Sequence, residues 1–281
     1  MKRIFIVGYP RSGTTLVQAM LASHPRLVSF PESHFFASTW PQRRLPRLLR
    51  LPKRGLNRHY VDFLDAMKVN PVTRQRLCQP YSATIRIRTF VSWLDACAES
   101  QDCAGWIEKT PRHLHYLDTV KTYLPHARVV HVVRCAYHAI ASLYHETSRV
   151  NASWGRARSL DQCIERWIRD VEISLRAVSR DPQLEKLVRY EDVLADPCKS
   201  MRELCTWLGL EFTDEMITNA HNTSEMLTLP AETWKQRNAT PVDAASKESK
   251  YHTFLTESER NRIELQLKRD ASSAVKQWIG M

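Results

Sequence analysis

Ile4-Phe5-Ile6-Val7 runs directly into Gly8-Tyr9-Pro10-Arg11-Ser12-Gly13-Thr14-Thr15, and this junction decides the fold. Four consecutive apolar residues predict a strand buried on both faces, as in a parallel sheet covered by helices. Leu16, Val17, Met20 and Leu21 then recur at helical spacing, so residues 14–23 predict a helix straight after the turn. A glycine-rich turn between strand and helix aims backbone N–H groups at one point, and the helix N-terminus adds partial positive charge there. Together they bind a phosphate. The spacing Gly8-x4-Gly13-Thr14-Thr15 places Thr14 where a nucleoside-triphosphatase loop carries its lysine. The cation sits inside the turn instead, at Arg11. A triphosphate thus loses its usual partner, whereas the turn can still hold a single 5′-phosphate.

Working outward, short apolar runs at 27–30, 128–133 and 186–190 predict further strands. Helices are predicted at 117–124 and 136–147. A long one opens at the capping box Ser159/Gln162 and carries the stripe Leu160, Ile164, Trp167, Ile168, Val171, Leu175, Val178. Another lies between Asp196-Pro197 and Gly209, with Met201, Leu204, Cys205 and Leu208 on one face. The alternation predicts an α/β, P-loop-type three-layer fold: a central, mainly parallel β-sheet flanked by helices, in one domain spanning 1–281. Two regions break it. Residues 37–104 are proline-containing and basic, helical at 60–67 and 90–98, and read as a helical cap insertion; residues 213–255 are polar and irregular.

The chain of 281 residues is 43% hydrophobic and 25% charged, ordinary for a globular protein, with a net charge of +11. Much of that excess lies in residues 43–58, which hold Arg43, Arg44, Arg47, Arg50, Lys53, Arg54 and Arg58 and no acid. The stretch reads equally as a solvated helical face or as a contact for an anionic acceptor. No recognition motif or aromatic platform accompanies it, so nucleic acid is not expected. Seven scattered cysteines without a Cys-x-x-Cys pair point to reduced thiols and a cytoplasmic location. No metal site is expected; His113-x-His115 reads as incidental surface chemistry. No apolar run is long enough to span a bilayer, and the short opening run reads as a core strand, with neither leader nor anchor.

Tyr9-Pro10-Arg11-Ser12-Gly13-Thr14-Thr15-Leu16 resembles the 5′-phosphosulfate motif of the sulfotransferases that use 3′-phosphoadenosine 5′-phosphosulfate (PAPS). Leu21-Ala22-Ser23-His24-Pro25 is similar to the tyrosylprotein branch. Val132-Val133-Arg134, followed by Ser142, resembles the 3′-phosphate motif of that family. There the arginine offers bidentate contacts and the serine a further donor. Cys135-Ala136 replaces the usual Asp-Pro, losing a turn constraint but no contact residue. Glu32, in Pro31-Glu32-Ser33-His34-Phe35-Phe36, stands where heparan-type and tyrosylprotein members carry a catalytic glutamate. Lys109, in Glu108-Lys109-Thr110-Pro111, resembles the element lining the same site. Arg189-Tyr190-Glu191-Asp192 resembles a common structural segment, and Lys247 and Lys250 stand where relatives close a basic loop over the 3′-phosphate.

The resemblance implies that Glu32 takes the acceptor proton, with Arg11 and Lys109 as cations for the leaving phosphate. Arg11, Ser12, Gly13, Thr14, Thr15, Arg134, Ser142 and Lys250 would hold the nucleotide, without a metal. If residues 31–34 are extended, Glu32 and His34 share a face, so His34 is an assistant or a rival base. The cap would cover the acceptor and 213–255 the cofactor. The acceptor is a hydroxyl compound, with saccharide, peptide tyrosine, lipid and secondary metabolite all open. The alternatives are a small-metabolite kinase, against which Thr14 argues, and a non-catalytic nucleotide- or anionic-surface-binding protein.

Overall fold

The computed structural model describes residues 1–40, 52–53, 55–148, 157–228 and 251–279. Five parallel strands form one sheet: β1 (Lys2–Gly8), β2 (Leu27–Ser29), β3 (Gly105–Lys109), β4 (Arg128–Val133) and β5 (Glu185–Arg189), in the order β2-β3-β1-β4-β5. All four ladders are parallel, as the βαβ pattern requires. β1 is central: Ile6 lies opposite Lys109 on one side and Val130 on the other. The strand order reverses at β1, where open α/β sheets leave a ligand crevice beyond the strand ends.

The helices are α1 (Thr14–Ala22), α2 (Phe35–Thr39), α3 (Arg58–Ala66), α4 (Pro71–Cys78), α5 (Ala83–Glu99) and α6 (Leu117–Tyr123). They continue as α7 (Ala136–Ser148), α8 (Leu160–Arg180), α9 (Tyr190–Ala195), α10 (Pro197–Leu208), α11 (Glu215–Thr218), α12 (Ala220–Met226), α13 (Glu257–Asp270) and α14 (Ser273–Ile279). Alternate β1 residues feed opposite cores. Ile4 and Ile6 pack with Val130, Val132 and residues of α1 and α10. Phe5 and Val7 join Val129 and the aromatic core of α2, α3 and α5. The insertion shares that core with the sheet: Phe35 stacks on Phe90 at 4.0 Å and 7°, worth about 0.5–1.5 kcal/mol beyond the area buried.

The expected caps are present. Ser159 and Gln162 form a capping box on α8, and Asp196 accepts from Lys199 N at 2.8 Å with Pro197 at the first position of α10. Gly209 ends α10 at φ 63°. Strand β3 was not expected from its apolar count, because two of its five residues are charged; both are buried, paired with neighbours rather than with water. Residues 213–255 are not wholly irregular, since α11 and α12 lie within them. Residues 229–250, including Lys247 and Lys250, lie outside the described residues, as does most of 43–58. Among the described residues no helix is long and apolar enough to cross a membrane.

Candidate active site

The chain leaves β1 through a turn that glycine alone allows. Gly8 has φ 154°, and a Cβ there would stand 2.3 Å from Val132 O. Gly13 has φ 88°, and a Cβ there would lie 2.1 Å from Cδ2 of Tyr190. Tyr190, in the segment read from sequence as merely structural, thus floors the loop. Arg11 also takes a left-handed φ of 71°, a conformation non-glycine residues seldom adopt. The turn closes through Ser12 N to Tyr9 O at 3.2 Å. α1 begins at Thr14 with no side-chain cap and no acid in its first turn, leaving its N-terminal dipole unopposed.

Arg11, Arg134 and Ser142 meet at this turn from three elements. Arg11 Nε donates to Ser142 Oγ at 3.1 Å, and Arg134 Nη1 donates to Arg11 O at 3.1 Å. The Arg134 guanidinium lies over the Tyr190 ring at 4.8 Å. Burial lowers the Arg11 pKa, opposed by Glu146 and reinforced by Arg134. Two guanidinium groups so close favour an anion between them. Cys135, which replaces the usual aspartate, donates its backbone N–H to Glu191 Oε1 at 3.0 Å. A carboxylate from the first turn of α9 therefore fixes this turn.

On the other side of the loop Lys109, 1% exposed at the end of β3, donates to Glu32 Oε1 at 2.5 Å and to Thr15 Oγ1 at 3.3 Å. His34 Nε2 stands 3.3 Å from Glu32 Oε2. The condition set for residues 31–34, an extended backbone, fails at His34, which turns to φ 50° ahead of α2, yet its ring still reaches Glu32. His34 also lies against His59 of α3, with ring centroids 5.0 Å apart and the planes tilted by 32°, a contribution from the insertion that no sequence motif signalled.

Of the histidine pair read as incidental surface chemistry, His113 is instead buried and hydrogen-bonded to Glu108, while His115 is exposed and pairs with Asp170 at 3.2 Å. His138 and His145 of α7 lie against Tyr251 and Phe254.

The site residues fit a nucleotide carrying two phosphates. Ser12 Oγ and Arg134 Nε are buried with no hydrogen-bond partner among the described residues, polar groups that a bound anion would satisfy. Ser12, Gly13, Thr14, Thr15, Arg11, Arg134 and Ser142 come together; Lys250 falls outside the described residues. Among the described residues no group of three His, Cys, Asp or Glu is arranged to hold a metal ion.

The pattern of the Sulfotransferase family matches residues 3–214. The protein-tyrosine sulfotransferase 1 of Danio rerio is 26% identical over 218 residues, 77% of this chain and 56% of its own length. Its counterpart from Drosophila melanogaster is 25% identical over 223 residues, 77% of this chain and 40% of its own. The chain spans about half the length of these curated relatives. Among solved structures, the sulfotransferase domain from the curacin biosynthetic pathway superposes with a TM-score of 0.63 at 20% identity, covering 96% of this chain and 99% of that one. That likeness is one of fold.

Proposed function

The chain belongs to the sulfotransferase family, and from that premise we propose that it transfers a sulfuryl group from PAPS to an acceptor hydroxyl, with Glu32 as general base. The observation that carries the reading is the Lys109–Glu32 ion pair set against Thr15 of the phosphate loop. A base and a cation thus stand beside a nucleotide site, where in-line transfer needs them.

The acceptor oxygen attacks sulfur as its proton passes to Glu32, and the bond from sulfur to the bridging phosphate oxygen breaks. Its electron pair leaves with the 3′,5′-adenosine bisphosphate. Arg11, Lys109 and the N-terminus of α1 meet the charge that develops on that oxygen. Lys109 keeps Glu32 ionised, and His34, 3.3 Å from the other carboxylate oxygen, assists by receiving the proton. Arg134 and Ser142, with Arg11, hold the 3′-phosphate. The sulfuryl group carries less charge than a phosphoryl group, so these cations serve without a divalent ion.

Residues 37–104 act as the acceptor cap of a single domain, a role supported by His59 reaching His34 from α3. Peptide tyrosine is the first acceptor to try, since tyrosine sulfation names the curated relatives. Calorimetry with 3′,5′-adenosine bisphosphate, without magnesium, tests the proposal directly. Micromolar binding is expected; none at sub-millimolar concentration would sink it, and binding of a magnesium triphosphate alone would favour the kinase.

A further inference from the structure

Three successive backbone N–H groups ahead of and within α2 all end on side chains. His34 N donates to Thr110 Oγ1 at 3.2 Å, Phe35 N to Ser33 Oγ at 3.1 Å, and Phe36 N to His113 Nε2 at 3.3 Å. Each of those side chains in turn reaches one carboxylate. Thr110 Oγ1 and Ser33 Oγ both donate to Glu108 Oε1 at 2.7 Å, and His113 Nδ1 lies 2.8 Å from Glu108 Oε2. Ser33 N also points at Oε1, at 3.4 Å.

Counting protons fixes the direction of every link. Phe36 N can only donate, so His113 Nε2 is bare and Nδ1 carries the proton that Glu108 accepts. Each hydroxyl has a single proton, which goes to Glu108, leaving lone pairs to receive the backbone. An ionised carboxylate alone accepts all three at once; a carboxyl or an amide would bring a donor of its own. Burial pushes the Glu108 carboxyl up, but His113 with the Thr110 and Ser33 hydroxyls more than offsets this and holds it below the ordinary range.

We propose that Glu108 is a positioning residue for the transfer step: through Ser33, Thr110 and His113 it fixes the turn that presents Glu32 to Lys109. Neighbouring residues of a strand project to opposite faces, so the end of β3 grips the turn twice. Lys109 holds the Glu32 carboxylate, and Glu108 holds the backbone that follows it. The left-handed His34 requires such a hold, since a non-glycine residue stays there only where its surroundings over-determine it. The inference rests on Glu32 being the base.

The test uses the full chain with Glu108→Gln, and with Thr110→Val and Thr110→Ser as a near-isosteric pair. An amide at 108 sets a donor against at least one link, whichever way it faces. Bisphosphate affinity of Glu108→Gln should stay within about threefold of wild type, while kcat falls about 100-fold at a nearly unchanged acceptor KM, as a misplaced base predicts. The acid limb of its kcat profile should move to higher pH, because Glu32 is no longer held against Lys109. Thr110→Val should lower kcat about tenfold and Thr110→Ser should recover most of that loss. Imidazole 15N spectra of wild type should show His113 with its proton on Nδ1. Should Glu108→Gln not fold, the Thr110 pair and the spectra carry the test. The proposal is overturned by kcat retained in both Glu108→Gln and Thr110→Val, by affinity and turnover falling in step, or by a His113 proton on Nε2. A wild-type protein that binds no bisphosphate counts against the transferase reading itself, a result separate from these.

Discussion

Arg11 Nε donates to Ser142 Oγ across 131 residues of chain, joining the glycine loop after β1 to the helix after β4. The two segments proposed to hold the phosphates therefore form one surface, with Arg11 between them and Arg134 anchored on the Arg11 carbonyl. Arg134→Ala should weaken 3′,5′-adenosine bisphosphate about tenfold or more while changing 5′-adenosine monophosphate little, since a charge-assisted contact is worth roughly 1.5–3 kcal/mol. Arg11→Ala should weaken both. Calorimetry with the two nucleotides checks this, and equal losses in Arg134→Ala would contradict the assignment of the 3′-phosphate.

Glu32→Gln should lower turnover by about 10²–10⁴-fold, the usual contribution of a positioned base, and leave bisphosphate affinity within a few-fold. It also removes the carboxylate facing buried Lys109, so thermal stability should fall by up to about 3–5 kcal/mol, less where the amide oxygen still accepts. Steady-state kinetics and calorimetric melting measure the two effects separately. Substantial retained turnover would move the base to His34.

Gly13→Ala places a methyl within the Tyr190 ring and a side chain at φ 88°. The backbone strain alone costs about 1–3 kcal/mol, and the overlap must be relieved by moving either the loop or the ring. Since Arg134 rests on that ring, bisphosphate affinity should fall together with the melting temperature. Unchanged affinity would mean that Tyr190 does not floor the site.

The loop was legible because its chemistry is local: glycines, a cation and a helix start follow one another within eight residues. The same holds for α8 and α10, whose caps are short-range. Strand β3 was not legible, because Glu108 and Lys109 count as polar until Ser33, Thr110, His113 and Glu32 supply their partners. His59 escaped for a related reason. Its place beside His34 depends on how α3 packs through Tyr60 and Phe63 against Phe35 and Phe90, which no spacing rule conveys. Tyr190 and Glu191 sat in a recognised segment, but their partners Gly13, Arg134 and Cys135 lie at least 55 residues away in sequence.

Acid should loosen the sheet at a second carboxylate, far from the loop. Burial pushes the Glu185 carboxyl up, yet hydrogen bonds from His131 and Lys121 and their charges outweigh it, so the folded pKa lies below the ordinary 4.5. The unfolded chain then binds the proton more readily than the folded one in that window. The stabilisation is fully present above about pH 4.5, and is lost as pH falls through the lowered folded value. Glu108 adds a loss of the same sign in the same window. Urea midpoints measured between about pH 6 and 3.5 should therefore decline. Glu185→Gln should start lower at pH 6 and decline less steeply, because its share of the linkage is gone. A variant that declines in parallel with wild type would show that Glu185 does not bind its proton differently in the two states.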